Sequence, residues 1–172
     1  MTRAHPSGTK TLAPSQQIFE RLFRKHYEEI RRYVAGMYPE HAEDIVQDTF
    51  MKLLTNIDNI EEQSVRAWLY RVASNKGIDL TRANRSREKR HEQSHTPQRT
   101  TQQTTEVQAL VRLAMQRLAP KQAQLLHLYG AGLSYDEMAD VMQVKKSSIS
   151  QLLLRAKRAF EHELALTQRS HT

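Results

Sequence analysis

Two acidic residues and a glutamine have a spacing that could support chemistry. Asp44 and Asp48 stand four residues apart and Gln47 lies one turn from Asp44, so on a helix the three side chains share one face. Paired carboxylates can serve in acid–base catalysis, but no paired catalytic histidine or glycine-rich loop accompanies this pair. The face is therefore either a solvated acidic surface or a docking site for a basic partner.

A second pattern, His91 to His95, has the sequence HEQSH and matches the H-E-x-x-H motif of zinc proteases. That chemistry needs a buried helix with both histidines on one face, a third ligand and a substrate cleft. Here the motif lies in a stretch without apolar side chains. We interpret it as a polar linker, and we expect no metal, no cofactor and no catalytic residue.

Basic side chains accumulate from Arg66 to Arg90, where eight cations and two acids give a net charge of +6. This density suits the backbone of a nucleic acid. Trp68 and Tyr70 could stack on unpaired bases, although a lone tryptophan among aliphatic residues is more typical of a core.

The most specific pattern is a helix-turn-helix window of twenty residues that begins at Tyr135. Its small fifth residue is Ala139, and Ser134 with Glu137 forms an S-x-x-E capping box just before it. Gln143 occupies the turn position that favours positive φ and usually takes glycine, at a cost of about 1 kcal/mol. The five apolar positions that hold such a motif together are Met138, Met142, Val144, Ile149 and Leu152.

The second helix of such a motif enters the major groove, and here it is predicted to span about residues 146–162. Its cations suit phosphate contacts. They are Lys145, Lys146, Arg155, Lys157 and Arg158. Its short or amide side chains can meet base edges. They are Ser147, Ser148, Ser150 and Gln151.

Apolar stripes at three- and four-residue spacing run through most of the chain, and no segment alternates convincingly, which predicts an all-α fold. Three helices form a first small domain and four form a second. The segment between them lacks aliphatic and aromatic side chains, so we predict a flexible linker and a flexible free chain. The predicted boundaries are a tail at 1–15, the first domain at 16–86, the linker at 87–105, the second domain at 106–166 and a tail at 167–172.

The composition of the 172 residues limits the partners. Lys+Arg of 26 against Asp+Glu of 19 gives a net charge of +7, which suits a polyanion, either nucleic acid or an anionic membrane surface. The absence of cysteine excludes disulfides and thiol chemistry. No apolar run reaches the roughly 18 residues of a membrane span, and the first residues lack the apolar run of a signal peptide, so we expect a cytoplasmic protein.

Together these segments resemble the extracytoplasmic-function sigma factors of bacterial RNA polymerase, a group of the sigma-70 family. The resemblance covers about Phe19–Arg90 and Val107–Leu164. It implies that the first domain is sigma region 2 and the second is sigma region 4. It also implies that the chain is not an enzyme but directs polymerase to promoters.

The segment HAEDIVQDTFMKLL resembles the polymerase-binding helix of the family, which implies that Asp44, Gln47 and Asp48 dock on the clamp helices of the largest polymerase subunit. The segment VRAWLYRVASNKGIDLTRANRSREKR resembles the helix that opens the −10 element, and the connector before it is where the family holds a flipped base. The residues implied for −10 DNA are Asn56, Asn59, Arg66, Tyr70, Arg71, Asn75, Lys76 and Arg82. The residues implied for −35 DNA are Lys145, Lys146, Ser147, Ser148, Ser150, Gln151, Arg155 and Arg158.

The resemblance further implies three partners: the polymerase core, promoter DNA and an anti-sigma factor that wedges between the two domains. The chain departs from the family's pattern at Ser150 and Leu152, where a basic residue is common, so we expect an unusual −35 preference. The helix-turn-helix alone leaves one alternative open. A transcriptional regulator that binds duplex DNA without joining polymerase would also contain it.

Overall fold

A computed structural model of the chain describes residues 13–88 and 105–169, and every regular element in those ranges is helical. The predicted all-α class is confirmed. The first domain consists of α1 (Pro14–Met37), α2 (Ala42–Asn56) and α3 (Val65–Glu88), and the second of α4 (Glu106–Arg117), α5 (Pro120–Gly130), α6 (Tyr135–Met142) and α7 (Lys146–Arg169). The HEQSH motif and most of the predicted linker lie outside the described residues.

Prolines and capping side chains define several of the helix boundaries. Pro14 and Pro120 occupy the first positions of α1 and α5, where a missing backbone N–H costs no hydrogen bond. Thr105 begins α4 with a capping box to Gln108. Between α1 and α2, Pro39 starts a short 3-10 turn.

The first domain buries an aliphatic and aromatic core among its three helices. Ile30, Val34 and Leu53 are fully buried. Tyr33 is also buried, and its hydroxyl lies 2.7 Å from the hydroxyl of Ser74 on α3, which in turn donates to a backbone oxygen of its own helix. This polar pair fixes α1 against α3 from inside the core, since buried hydroxyls need partners.

The second domain packs α4, α5 and α6 around the long helix α7. Leu128, Met138 and Ile149 are fully buried where α5, α6 and α7 meet. Ala114 and Ala156 are also fully buried, and their small side chains let α4 approach α7 closely. Helix α7 runs past the predicted end at His162 as far as Arg169.

The two domains contact each other directly. Helix α3 packs on α6, and α1 packs on α5, so that one continuous hydrophobic core includes residues of both domains. At the second contact, the ring of His127 lies against Gly36, where a Cβ would come within 2.7 Å of it, and 6.4 Å from the ring of Tyr33. The predicted flexible free chain did not anticipate this closed arrangement.

Candidate nucleic-acid and polymerase interfaces

The helix-turn-helix has the local geometry that its sequence predicts. The backbone N–H of Ser134 donates to Glu137 Oε2 at 2.7 Å, and the N–H of Glu137 donates to Ser134 Oγ at 3.2 Å, which completes the capping box of α6. Gln143 has φ 54 and ψ 47, and it is the only non-glycine residue with positive φ in the described ranges. Ala139 is only 8% exposed, and its small side chain permits the close crossing of α6 and α7.

The residues assigned to −35 DNA lie along the first part of α7 and the turn before it. All are exposed except Ser148, which is partly buried. Lys146 Nζ donates to Asp136 Oδ2 at 2.7 Å, whereas Lys145, Arg155 and Arg158 form no ion pair with another described residue. Lys157 differs from the prediction, because its ammonium lies 4.0 Å from the centre of the Tyr129 ring in a cation–π contact.

Arg66, the first residue assigned to −10 DNA on α3, is held by internal partners. Its Nη2 donates to the carbonyl of Ala131 at 2.7 Å, its Nη1 donates to the carbonyl of Gly132 at 3.2 Å, and its Nε donates to Glu29 at 3.2 Å. Its Nη1 also lies 3.5 Å from Glu137 Oε2. The guanidinium of Arg66 therefore connects both domains.

Arg71, one turn and a half further along α3, forms the second cross-domain ion pair. Its Nη1 donates to Asp140 Oδ1 on α6 at 2.7 Å. Both arginines assigned to −10 DNA on this face therefore contact carboxylates of the helix-turn-helix.

The pKa of Glu29, the acidic partner of Arg66 within the first domain, is lowered from its usual value. Burial alone would raise the pKa of Glu29, but the hydrogen bond from His26 and the positive charges of Arg66 and His26 together lower it. The buried His26 ring contacts Glu29 through Nδ1 at 2.5 Å. Glu29 therefore stays ionised and holds Arg66 in position.

The other residues assigned to −10 DNA differ in accessibility. Asn59, Asn75 and Arg82 are exposed. Asn56 is partly buried and donates through Nδ2 to the carbonyl of Lys52 at 2.8 Å, so it closes the last turn of α2.

Tyr70, which the resemblance assigns to −10 DNA, is buried in this arrangement. Its ring is fully buried, it packs edge-on against Tyr33 at 4.9 Å, and burial raises its pKa to about 12. In this closed arrangement Tyr70 cannot stack on a base, because α3 is covered by α1, α2 and α6 rather than on one side only. Trp68 is partly buried against the core, as its aliphatic neighbours suggest.

The predicted docking face on α2 is accessible. Asp44 and Gln47 are exposed, and Asp48 is partly exposed with Lys76 at 3.3 Å and Lys52 at 3.5 Å. The sequence interpretation missed the apolar part of this surface. Met51 is 55% exposed and Leu54 is 41% exposed.

Four residues at the domain contact were not singled out from the sequence for that role. They are Gly36, His127, Glu137 and Asp140. One signal could have found the acidic pair: α6 carries three carboxylates and no cation, while α3 is strongly basic. Opposite charge of this kind indicates which surfaces can pair.

Residues 13–88 and 105–169 contain no cluster of three or more side chains able to hold a metal ion. Within the same ranges, none of the helices combines the length and apolar character of a membrane span.

Comparison with known families gives two matches that together follow the two domains. The profile of sigma-70 region 2 matches residues 22–87, and the profile of sigma-70 region 4 matches residues 108–160. Among curated proteins, the ECF RNA polymerase sigma factor SigM of Bacillus subtilis (strain 168) is 23% identical over 146 residues, which cover 80% of this chain and 90% of SigM.

Solved structures agree in fold. The sigma factor RpoE, crystallised in complex with the anti-sigma factor NepR from Bartonella quintana, has a TM-score of 0.70 and 22% identity, and the match covers 86% of this chain and 96% of that one. CnrH, solved in complex with the cytosolic domain of CnrY, has a TM-score of 0.65 and 23% identity, with 88% and 90% covered.

Proposed function

The chain belongs to the sigma-70 family as an RNA polymerase sigma factor of the extracytoplasmic-function type, and from this premise we propose that α2 is its docking helix for the polymerase core. The observation that carries the proposal is the exposed polar face of Asp44, Gln47 and Asp48 with Met51 beside it. A polar and apolar surface of this kind suits a partner that offers both basic and apolar groups. The proposed partner surface is the clamp helices of the largest polymerase subunit.

Promoter recognition in this proposal is divided between the domains. The exposed cations and short polar side chains of α7 suit duplex −35 DNA, with α7 in the major groove. The basic face of α3 and the connector with Asn56 and Asn59 suit the melted −10 region. The chain makes and breaks no covalent bond in this scheme, and it acts in the cytoplasm, where polymerase and DNA are.

An anti-sigma factor is the proposed regulatory partner. Support comes from RpoE, which has the same fold and was solved with the anti-sigma factor NepR.

The docking proposal is tested by Asp44→Ala with Asp48→Ala. We expect the wild-type protein to co-elute with core polymerase on gel filtration, and the double variant to bind roughly tenfold more weakly or worse, because two charges of the contact are lost. The fold should be kept, since the ion pairs of Asp48 with Lys52 and Lys76 are partly exposed and surface pairs contribute about 0–1 kcal/mol.

The matched control is Glu20→Ala with Glu161→Ala, which removes two carboxylates outside the docking face. It should bind core polymerase like the wild type. Equal binding by both variants would show that the face on α2 is not the docking site. Failure of the wild type to bind core polymerase at all would overturn the sigma-factor function and leave the helix-turn-helix regulator.

A further inference from the structure

The methionine thioethers are the groups of this protein that a peroxide oxidises most readily, since the chain has no cysteine. Five methionines lie in the described ranges, and Met51 is the only one of them that is exposed, at 55%. Met138 is fully buried, and Met37, Met115 and Met142 are partly buried. Because oxidation follows access to the sulfur, an oxidant reaches Met51 before the other four.

Met51 lies on the face of α2 that carries the proposed polymerase contact. It follows Gln47 by four residues and Asp48 by three, so the three side chains share one face of the helix. Leu54, three residues further along, is 41% exposed and continues the apolar part of this surface. The one exposed thioether among the described residues therefore lies within the proposed docking face.

We propose that Met51 is an oxidation site through which peroxides weaken the docking of α2 on the polymerase core. The inference rests on the proposed function of α2 as the docking helix. A lone pair of the Met51 sulfur attacks one peroxide oxygen and the O–O bond breaks. The attacked oxygen stays on sulfur as the sulfoxide, and its proton passes to the other oxygen, which leaves as water or an alcohol. Sulfur loses two electrons and the peroxide gains them.

The sulfoxide changes the chemistry of the docking face. A flexible apolar side chain becomes one with a strongly polar oxygen. Burial of that oxygen against apolar groups of a partner is unfavourable unless a donor meets it. Bound polymerase covers Met51, so oxidation acts on the free chain. Thiol-dependent methionine sulfoxide reductases reverse the change, since two electrons and two protons remove the oxygen as water.

The first test oxidises the full chain by itself with hydrogen peroxide, which catalase then removes before core polymerase is added. Mass spectrometry gives the fraction of sulfoxide at Met51, and fluorescence anisotropy gives the affinity for core polymerase. We expect the affinity to fall about tenfold as Met51 is converted. Reductases for both sulfoxide epimers should restore it. Full conversion of Met51 with unchanged affinity would overturn the proposal.

The second test uses variants to separate Met51 from other oxidised sites. Met51→Leu keeps volume and apolar character, so it should bind core polymerase like the wild type and keep its affinity after peroxide treatment. Met115→Leu, on α4, is the matched control and should stay as sensitive as the wild type. Equal sensitivity of the two variants would contradict the assignment to Met51.

Met51→Gln introduces a polar side chain without any oxidant. It should bind core polymerase severalfold more weakly than Met51→Leu. Its unfolding midpoint by circular dichroism should stay near that of the wild type, because an exposed position tolerates the change. Wild-type affinity in Met51→Gln would show that this position does not need an apolar group, and the proposal would fail.

Protection in the complex is the third test. Core polymerase should slow the oxidation of Met51 severalfold, measured against free methionine added as an internal reference. Oxidation at the same rate in a complex that has formed would place Met51 outside the contact and overturn the proposal. A reduced wild-type chain that does not bind core polymerase would instead overturn the sigma-factor function, so the two failures are distinguishable.

Discussion

The two surfaces assigned to promoter DNA differ in how their cations are used. On α7, Lys145, Arg155 and Arg158 are exposed and have no ion-pair partner among the described residues. On α3, Arg66 and Arg71 are bound to carboxylates of the other domain. The cations of α7 are therefore accessible in this arrangement, while two of the arginines assigned to −10 DNA are held by the second domain.

This difference shows that one helix can have two roles in one protein, packing support for one helix and charge pairing with another. Helix α6 supports the recognition helix α7 through the buried Met138, and its outward acids face α3. The helix that positions one proposed DNA-binding helix thus contacts the other. We expect −35 contact to be possible in the closed chain, and −10 contact through Arg66 and Arg71 to require opening.

The variant with the largest expected effect tests whether the first and second domains are coupled through their shared hydrophobic core. Ile149→Ala removes a fully buried side chain between α6 and α7, which should cost about 2–5 kcal/mol of the free energy of unfolding of the second domain. Circular dichroism follows both domains, whereas fluorescence of Trp68, the only tryptophan, follows the first. We expect the midpoint of unfolding followed by Trp68 fluorescence to shift in the same direction as the midpoint followed by circular dichroism, but by less.

Val107→Ala is the control for this measurement, since Val107 is 69% exposed and its loss should cost less than about 0.5 kcal/mol. If the unfolding midpoint followed by Trp68 fluorescence is the same in Ile149→Ala as in the wild type, the two domains unfold independently. The contrast between a covered and a free surface would then not hold in solution.

The next effect compares the two arginine pairs on duplex DNA. Arg155→Ala with Arg158→Ala should reduce the slope of log affinity against log salt by about 1.8, because each lost phosphate contact accounts for roughly 0.9. Arg66→Ala with Arg71→Ala should change the slope little, since those arginines already pair with carboxylates. An equal reduction of the salt slope by the two double variants would contradict the difference in ion pairing between α3 and α7.

The smallest expected effect is a pH dependence of the closed state. Burial against α1 lowers the pKa of His127 below its usual 6.5, so the closed state holds the neutral ring and the open state binds a proton more readily. The closed state should therefore be fully stable above about pH 6.5 and should weaken as pH falls through the lowered pKa. Energy transfer between dyes on Gln16→Cys in the first domain and Ala165→Cys in the second should decrease on acidification, and the chain has no native cysteine to interfere.

His127→Gln is the matched variant for the pH measurement, because it is neutral at every pH used. It should lose the part of the pH dependence that belongs to the ring. An unchanged profile would assign the effect to groups other than His127.

Local patterns in the sequence predicted local structure well. The helix-turn-helix spacing placed Met138 and Ile149 in the core, the S-x-x-E pattern predicted the capping box, and the turn position of Gln143 predicted its positive φ. These features depend on residues within a few positions of each other. The residues assigned to polymerase and DNA contacts remain predictions, because the structure contains neither partner.

Contacts between distant segments were outside the reach of the same patterns. Periodicity predicts one buried stripe per helix, but α3 packs on α1 and α2 and also on α6, so Tyr70 is buried beyond that stripe. Glu137 was predicted as a cap, and its ion pair with Arg66 depends on how two domains dock. Docking depends on shapes and charges that meet across many intervening residues.

The pairing of Arg71 with Asp140 lies within a single chain, and this sets how the closed state responds to abundance. A unimolecular equilibrium does not depend on how much of the protein a cell makes, and the tether gives the two surfaces an effective concentration on the order of millimolar. Dilution does not open the pair, and accumulation does not close it further. The fraction of open molecules is then governed by the free concentration of any ligand that binds only the open chain.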